Sequence, residues 1–105
     1  MSEVKFKTGV NASGTSLCGY ITITHRELER VLGKGEGPAD KTLDEWSIKG
    51  EVDGEDVIAT IYDWKNYGSN VQYITDWHIG GKDGKAVELI KLIFPNNGTI
   101  KKSNY

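Results

Sequence analysis

The sequence predicts an α+β domain: a small antiparallel sheet of three to five strands, in a meander, packed with two short helices. Three observations predict it. Asp53-Gly54 sits between two β-rich runs, and Asp-Gly is a strong signal for a two-residue hairpin. Thr24 and Glu27 have the capping-box spacing, ahead of an apolar stripe at Leu28, Val31 and Leu32. Ala86, Leu89, Ile90 and Ile93 form a second helical stripe, closed by Pro95. Short connections favour hairpins over parallel crossovers.

Taken in order, Val4 to Thr8 alternates and reads as an edge strand. Gly9 to Gly19 is rich in Gly, Ser, Thr and Asn and reads as a loop with many accessible N–H groups. Tyr20 to Ile23 is a short β-prone segment. Ile23 and Leu28 staple the first helix, and Gly33 stops it. Lys34 to Lys41 is a charged surface loop. Leu43 to Val52 and Val57 to Lys65 are the hairpin strands, with Val57, Ala59 and Ile61 on one face and Ile58, Thr60, Tyr62 and Trp64 on the other. Asn66 to Asn70 is a turn. Tyr73 to Ile79 is a third strand, with Asp76 and His78 opposite Trp77 and Ile79. Asp83 is a plausible N-cap for the second helix. One domain covers 1–105, of which 95–105 is a polar tail.

Composition narrows the function. At 105 residues there is room for one domain. A net charge of −2 argues against a protein that coats DNA or RNA, although 13 Lys and Arg leave enough for a local anion pocket. One cysteine, Cys18, and two histidines form no metal cluster, and a single cysteine makes no intrachain disulfide. No apolar run approaches the ~18 residues of a membrane span, and Met1 to Lys5 lacks the apolar stretch of a secretory signal. These features lead us to expect a cytoplasmic protein that needs no cofactor, no metal and no membrane.

Two places can carry chemistry. The turn Gly80-Gly81-Lys82-Asp83-Gly84-Lys85 leads from a strand into a helix, where free N–H groups and the helix dipole suit an anion. It lacks the Walker A spacing, and solvated lysines in a strand-to-helix turn are its commoner meaning. The segments Tyr62-Asp63-Trp64-Lys65 and Asp76-Trp77-His78 set aromatic rings beside charges. A flat ring can stack on a nucleobase for about 1–3 kcal/mol. Trp46 and Trp77 are expected in the core, whereas Tyr62 and Trp64 fit either core or site. His25, in the first helical turn, is expected to be solvated. His78 with Asp63 or Asp76 is the only acid/base arrangement, and Ser13, Thr15 and Ser16 lack a nucleophile elbow. No catalytic residue is assigned.

Several blocks together resemble a known family. Gly14-Thr15-Ser16-Leu17-Cys18-Gly19-Tyr20-Ile21 comes first, then a short helix ending Val31-Leu32-Gly33, then Asp44-Glu45-Trp46. Ala59-Thr60-Ile61-Tyr62-Asp63-Trp64-Lys65 and Trp77-His78-Ile79-Gly80-Gly81 with Ala86-Val87-Glu88-Leu89 follow. Over about residues 14–94 the chain is similar to small phage proteins of the fourth anti-CBASS type. The resemblance implies an immune-evasion protein in the cytoplasm of an infected bacterium. Such a protein sequesters cyclic dinucleotide signals, such as 3′3′-cyclic GMP-AMP, without cleaving them. It also implies a homo-oligomer, dimer or tetramer, with ligand at or near subunit interfaces. Cys18 departs from the pattern, where a longer polar residue such as Gln is expected.

On this reading Tyr20, Tyr62 and Trp64 stack on or line the base site. Lys65 and Lys82 meet phosphate, and Thr15, Ser16 and His78 donate hydrogen bonds. The alternatives are a nucleotide-cleaving enzyme using His78 and a nearby Asp, and a protein-interaction module docking a host protein.

Overall fold

A computed structural model describes residues 5–12, 14–37, 44–64, 70–95 and 99–102. The architecture is α+β, with six strands rather than three to five, and two helices. The strands are β1 (Phe6–Thr8), β2 (Ser16–Thr22), β3 (Glu45–Val52), β4 (Glu55–Tyr62), β5 (Asp76–Gly81) and β6 (Thr99–Lys102). They form one sheet in the order β1-β3-β4-β5-β2-β6, antiparallel at every neighbour. The helices are α1 (His25–Leu32) and α2 (Lys85–Ile93).

The β3–β4 hairpin forms as its turn dictates. Asp53 and Gly54 have φ of 52° and 82°, the left-handed pair that a two-residue turn of matching twist requires. That turn fixes the register through Glu45↔Tyr62. The loop reading of 9–19 is corrected for its second half, because Ser16 to Gly19 belong to β2. The tail is corrected too: Thr99–Lys102 is a strand on the outer edge of β2. Neither segment has strong β propensity. β2 is a strand because β5 pairs with it from Ser16 to Thr22, with a bulge between Leu17 and Gly19, and β6 pairs with Gly19 to Thr22 on the other side. The third strand starts at Asp76, since Val71–Tyr73 turns as a 3-10 helix capped by the Asn70 side chain. The turn read at 66–69 and the end of the loop at 38–41 lie outside the described residues.

One face of the sheet carries both helices. Trp46, Ile48, Ala59, Ile61, Trp77, Ile79 and Ile21 point into it and are buried, and α2 covers them with Ala86, Leu89, Ile90 and Ile93. Thr24 caps α1 as expected, its Oγ1 accepting the Glu27 N–H at 3.2 Å. Trp46 donates its indole N–H to the Gly33 carbonyl at 2.9 Å, and Trp77 donates to that of Ile23 at 3.0 Å. The two indoles therefore hold opposite ends of α1, and both belong to the core. No helix among the described residues is long and apolar enough to cross a membrane.

His25 corrects an expectation. It is buried between Trp46 and Trp77, not solvated. Its Nε2 lies 2.8 Å from Asp44 Oδ2 and its Nδ1 lies 3.1 Å from Glu29 Oε1. Asp44 in turn accepts the Gly37 and Glu45 N–H groups on Oδ1, while its own N–H donates to the fully buried Asp63. This network ties α1 and the segment after it to the start of β3 and the end of β4.

Candidate functional site

The other face of the sheet carries no helix among the described residues, and its register makes a single row. Glu45 on β3, Tyr62 on β4, His78 on β5, Tyr20 on β2 and Lys101 on β6 are successive cross-strand partners. Directly opposed residues put their Cβ atoms about 5 Å apart, which brings neighbours in the row within reach of one another. His78 meets Tyr20 edge-on at 5.2 Å and Tyr62 at 5.3 Å between ring centroids. Trp64, just past β4, meets the Tyr62 ring at 6.3 Å and 78°. Tyr20 and Trp64 remain 38% and 45% exposed, enough to offer a ring to a ligand.

Beside the row lies a cleft of about 290 Å³, lined by Ala12, Thr15, Ser16, Glu45, Thr60, Tyr62, Trp64 and Gly80. Gly80 keeps it open. A Cβ there would overlap Thr60 Oγ1 and come within 3.3 Å of the Tyr62 ring.

Burial tunes the polar groups. It holds His78 below the ordinary histidine value, and the Asp63 carboxylate only partly offsets this, so the ring is neutral at pH 7 and keeps one donor and one acceptor. Burial raises the Tyr62 phenol, with Cys18 and Tyr20 adding to the shift. The Glu45 carboxyl is pushed up by burial first, then by Glu36, Asp44 and Asp63. Burial also raises the Cys18 thiol, and the Asp83 carboxylate adds to this, leaving a weak nucleophile. Among the described residues no group of three or more His, Cys, Asp or Glu is placed to hold a metal ion.

The His78 shift has a measurable consequence. The unfolded chain, with a histidine pKa of about 6.5, takes up the proton first as pH falls. The stability carried by the neutral ring is full above that value and is lost as pH falls through the lower folded-state value. We expect His78→Phe, which keeps a ring between the tyrosines, to lose less stability between pH 7 and pH 5 than the parent. Urea midpoints across that range measure it, and parallel curves would contradict it.

Of the residues singled out from sequence, Thr15, Ser16, Tyr62 and Trp64 line the cleft, and Tyr20 and His78 extend its aromatic wall. The Thr15 hydroxyl donates to the Ala12 carbonyl at 3.0 Å, so in this structure it offers an approaching group its lone pairs. Lys65 lies outside the described residues. Lys82 is exposed in the turn after β5 and is not part of the cleft lining. That turn is largely self-satisfied: Asp83 Oδ1 accepts the Lys85 N–H at 2.9 Å, the Asp83 carbonyl accepts that of Ala86, and the Lys85 ammonium pairs with Glu55. The chain's own carboxylate thus occupies the place an anion would take at the α2 N-terminus.

Sequence reasoning gave no site role to Glu45, Thr60 or Lys101, and placed Gly80 in the anion turn rather than at the cleft. Glu45 and Thr60 were accessible from hairpin register, because the Asp53-Gly54 turn fixes which residues face Tyr62 and Ser47. Lys101 gave no signal, since its strand exists only through pairing with β2. No protein-family model, curated protein or solved structure matches this chain.

Proposed function

We propose that the sheet face opposite the helices binds a cyclic dinucleotide and holds it uncleaved, as a phage protein countering a nucleotide-signalled defence in the bacterial cytoplasm. The observation that carries the reading is the aromatic row Tyr62–His78–Tyr20, with Trp64 at its end, beside a polar cleft. Stacking two bases on such rings supplies about 1–3 kcal/mol each, to which charge-assisted phosphate contacts add. Lys101, opposite Tyr20, and Lys82 are exposed cations for which no described residue forms an ion pair. Lys65 is a third candidate from the sequence.

A neutral His78 and a raised Cys18 thiol suit holding better than cutting. Asp76, the carboxylate nearest His78 in sequence on that face, accepts the Thr22 hydroxyl at 3.3 Å. At about 290 Å³ the cleft is at the lower limit of small-molecule sites. It suits one nucleotide half, which favours a second copy of the chain taking the other.

The test is calorimetric titration with 3′3′-cyclic GMP-AMP, followed by heat denaturation and chromatography of the released nucleotide. Tight binding with intact recovery is the expected result. Linear products would make the protein a phosphodiesterase, and absence of binding would favour a protein-docking surface. Trp64→Ala is expected to weaken binding about tenfold or more.

A further inference from the structure

We infer that Glu45 makes this cleft a guanine site, which rests on the nucleotide-binding reading above. Three observations meet at this residue. Glu45 lines the cleft together with the two rings best placed to stack on a base, Tyr62 and Trp64. It lies directly across from Tyr62 in the hairpin register, so a base stacked on that ring has its edge within reach of the carboxylate. No described residue donates a side-chain hydrogen bond or an ion pair to the Glu45 carboxylate, although Arg30, Lys49, Lys85 and Lys91 all have acidic partners elsewhere.

The carboxylate is poorly placed for stability alone. It is partly buried among Glu36, Asp44 and Asp63, which raise its proton affinity, and Glu36 already spends an oxygen on the Ser47 hydroxyl at 2.7 Å. A ligand that brings hydrogen-bond donors relieves that repulsion, and one that brings a lone pair worsens it. Guanine presents N1–H and the N2 amino group side by side, a pair that matches the two carboxylate oxygens. Adenine presents the N1 lone pair at the same place, with one amino donor beside it. Buried polar groups left unpaired discriminate more strongly than apolar shape does. The hydroxyls of Thr60 and Ser16 are the donors in the same cleft for guanine O6 and N7.

The experiment is calorimetric titration of the full chain at pH 7.5 with cyclic di-GMP, 3′3′-cyclic GMP-AMP, cyclic di-AMP, GMP and AMP, for the parent and Glu45→Gln. In the parent, the guanine-containing cyclic ligands are expected to bind at least tenfold more tightly than cyclic di-AMP, and GMP more tightly than AMP. Glu45→Gln should weaken the guanine ligands about ten- to hundredfold and bind cyclic di-AMP more tightly than the parent does, because a carboxamide can turn its NH2 toward adenine N1 and its oxygen toward the N6 amino group. Equal affinity of the parent for guanine and adenine ligands overturns the inference, as does a Glu45→Gln protein that keeps the parent's preference. Preference for GMP without binding of any cyclic dinucleotide keeps the guanine site and sinks the cyclic-dinucleotide reading. Binding of none of the five sinks both.

Discussion

Asp44→Ala is expected to lower the unfolding free energy by about 3–5 kcal/mol, because each buried donor left without its acceptor costs about 1–3 kcal/mol. Three donors lose their acceptor at once: the His25 ring and the N–H groups of Gly37 and Glu45. His25 cannot turn to water, because Trp46 and Trp77 pack on either side of it. Gly35 also loses the carboxylate it packs against so closely that a Cβ there would overlap it. Typical domains hold about 5–15 kcal/mol in total, so about a fifth or more of the stability rests on this one side chain. Asp44→Asn, which keeps one acceptor for the backbone donors and loses the charge facing His25, should fall between parent and alanine. Urea unfolding with an unchanged slope measures both. A loss below about 1 kcal/mol for the alanine variant would mean that water reaches the network.

The second large effect comes from two adjacent glycines that face opposite sides of the sheet. A Cβ on Gly81 would overlap the Ala86 Cβ of α2 and stand 3.4 Å from the Ile58 carbonyl. Helix and sheet backbones must separate to admit it, so Gly81→Ala is expected to cost about 1–3 kcal/mol of stability. A Cβ on Gly80 meets instead a threonine hydroxyl that can rotate and the edge of the Tyr62 ring. Gly80→Ala should therefore be the milder change in thermal unfolding. It fills the cleft, however, and is expected to reduce nucleotide affinity about tenfold or more, as a misfitting group in a packed site does. Unchanged affinity in Gly80→Ala would move the binding site off this face.

These residues also show what was legible beforehand. The hairpin, both helices and the core placement of Trp46 and Trp77 followed from local chemistry: a turn dipeptide, a capping box, and apolar stripes at helical or alternating spacing. The shared strand face of Tyr62 and Trp64 was legible from alternation too, but Thr15 and Ser16 were grouped with them only through the family resemblance. The rest depended on long-range partners. Ser16 to Gly19 are strand because they pair with Ile79 to Gly81 of β5, and Thr99 to Lys102 because they pair with Gly19 to Thr22 of β2. His25 is polar and sits at a helix start, so nothing local marks it as buried. Its burial comes from a carboxylate 19 positions away and two indoles further on. The Gly-rich turn carried a local anion signal that Asp83 answers from within the chain.

The strand order has a further consequence, for folding rate. The β3–β4 hairpin is local and closes on the microsecond scale of isolated hairpins. Tyr20 and His78, by contrast, meet across 58 positions of chain, and β6 can join only when β2 is already in place or docks with it. Contacts of such long separation slow the search for the native state. As the chain emerges from the ribosome, β2 is made early and waits, its backbone unpaired, until residues 76–81 are available. The aromatic row is therefore among the last features to assemble, and a chain interrupted before β5 has the Tyr62 half of that row without the Tyr20 half.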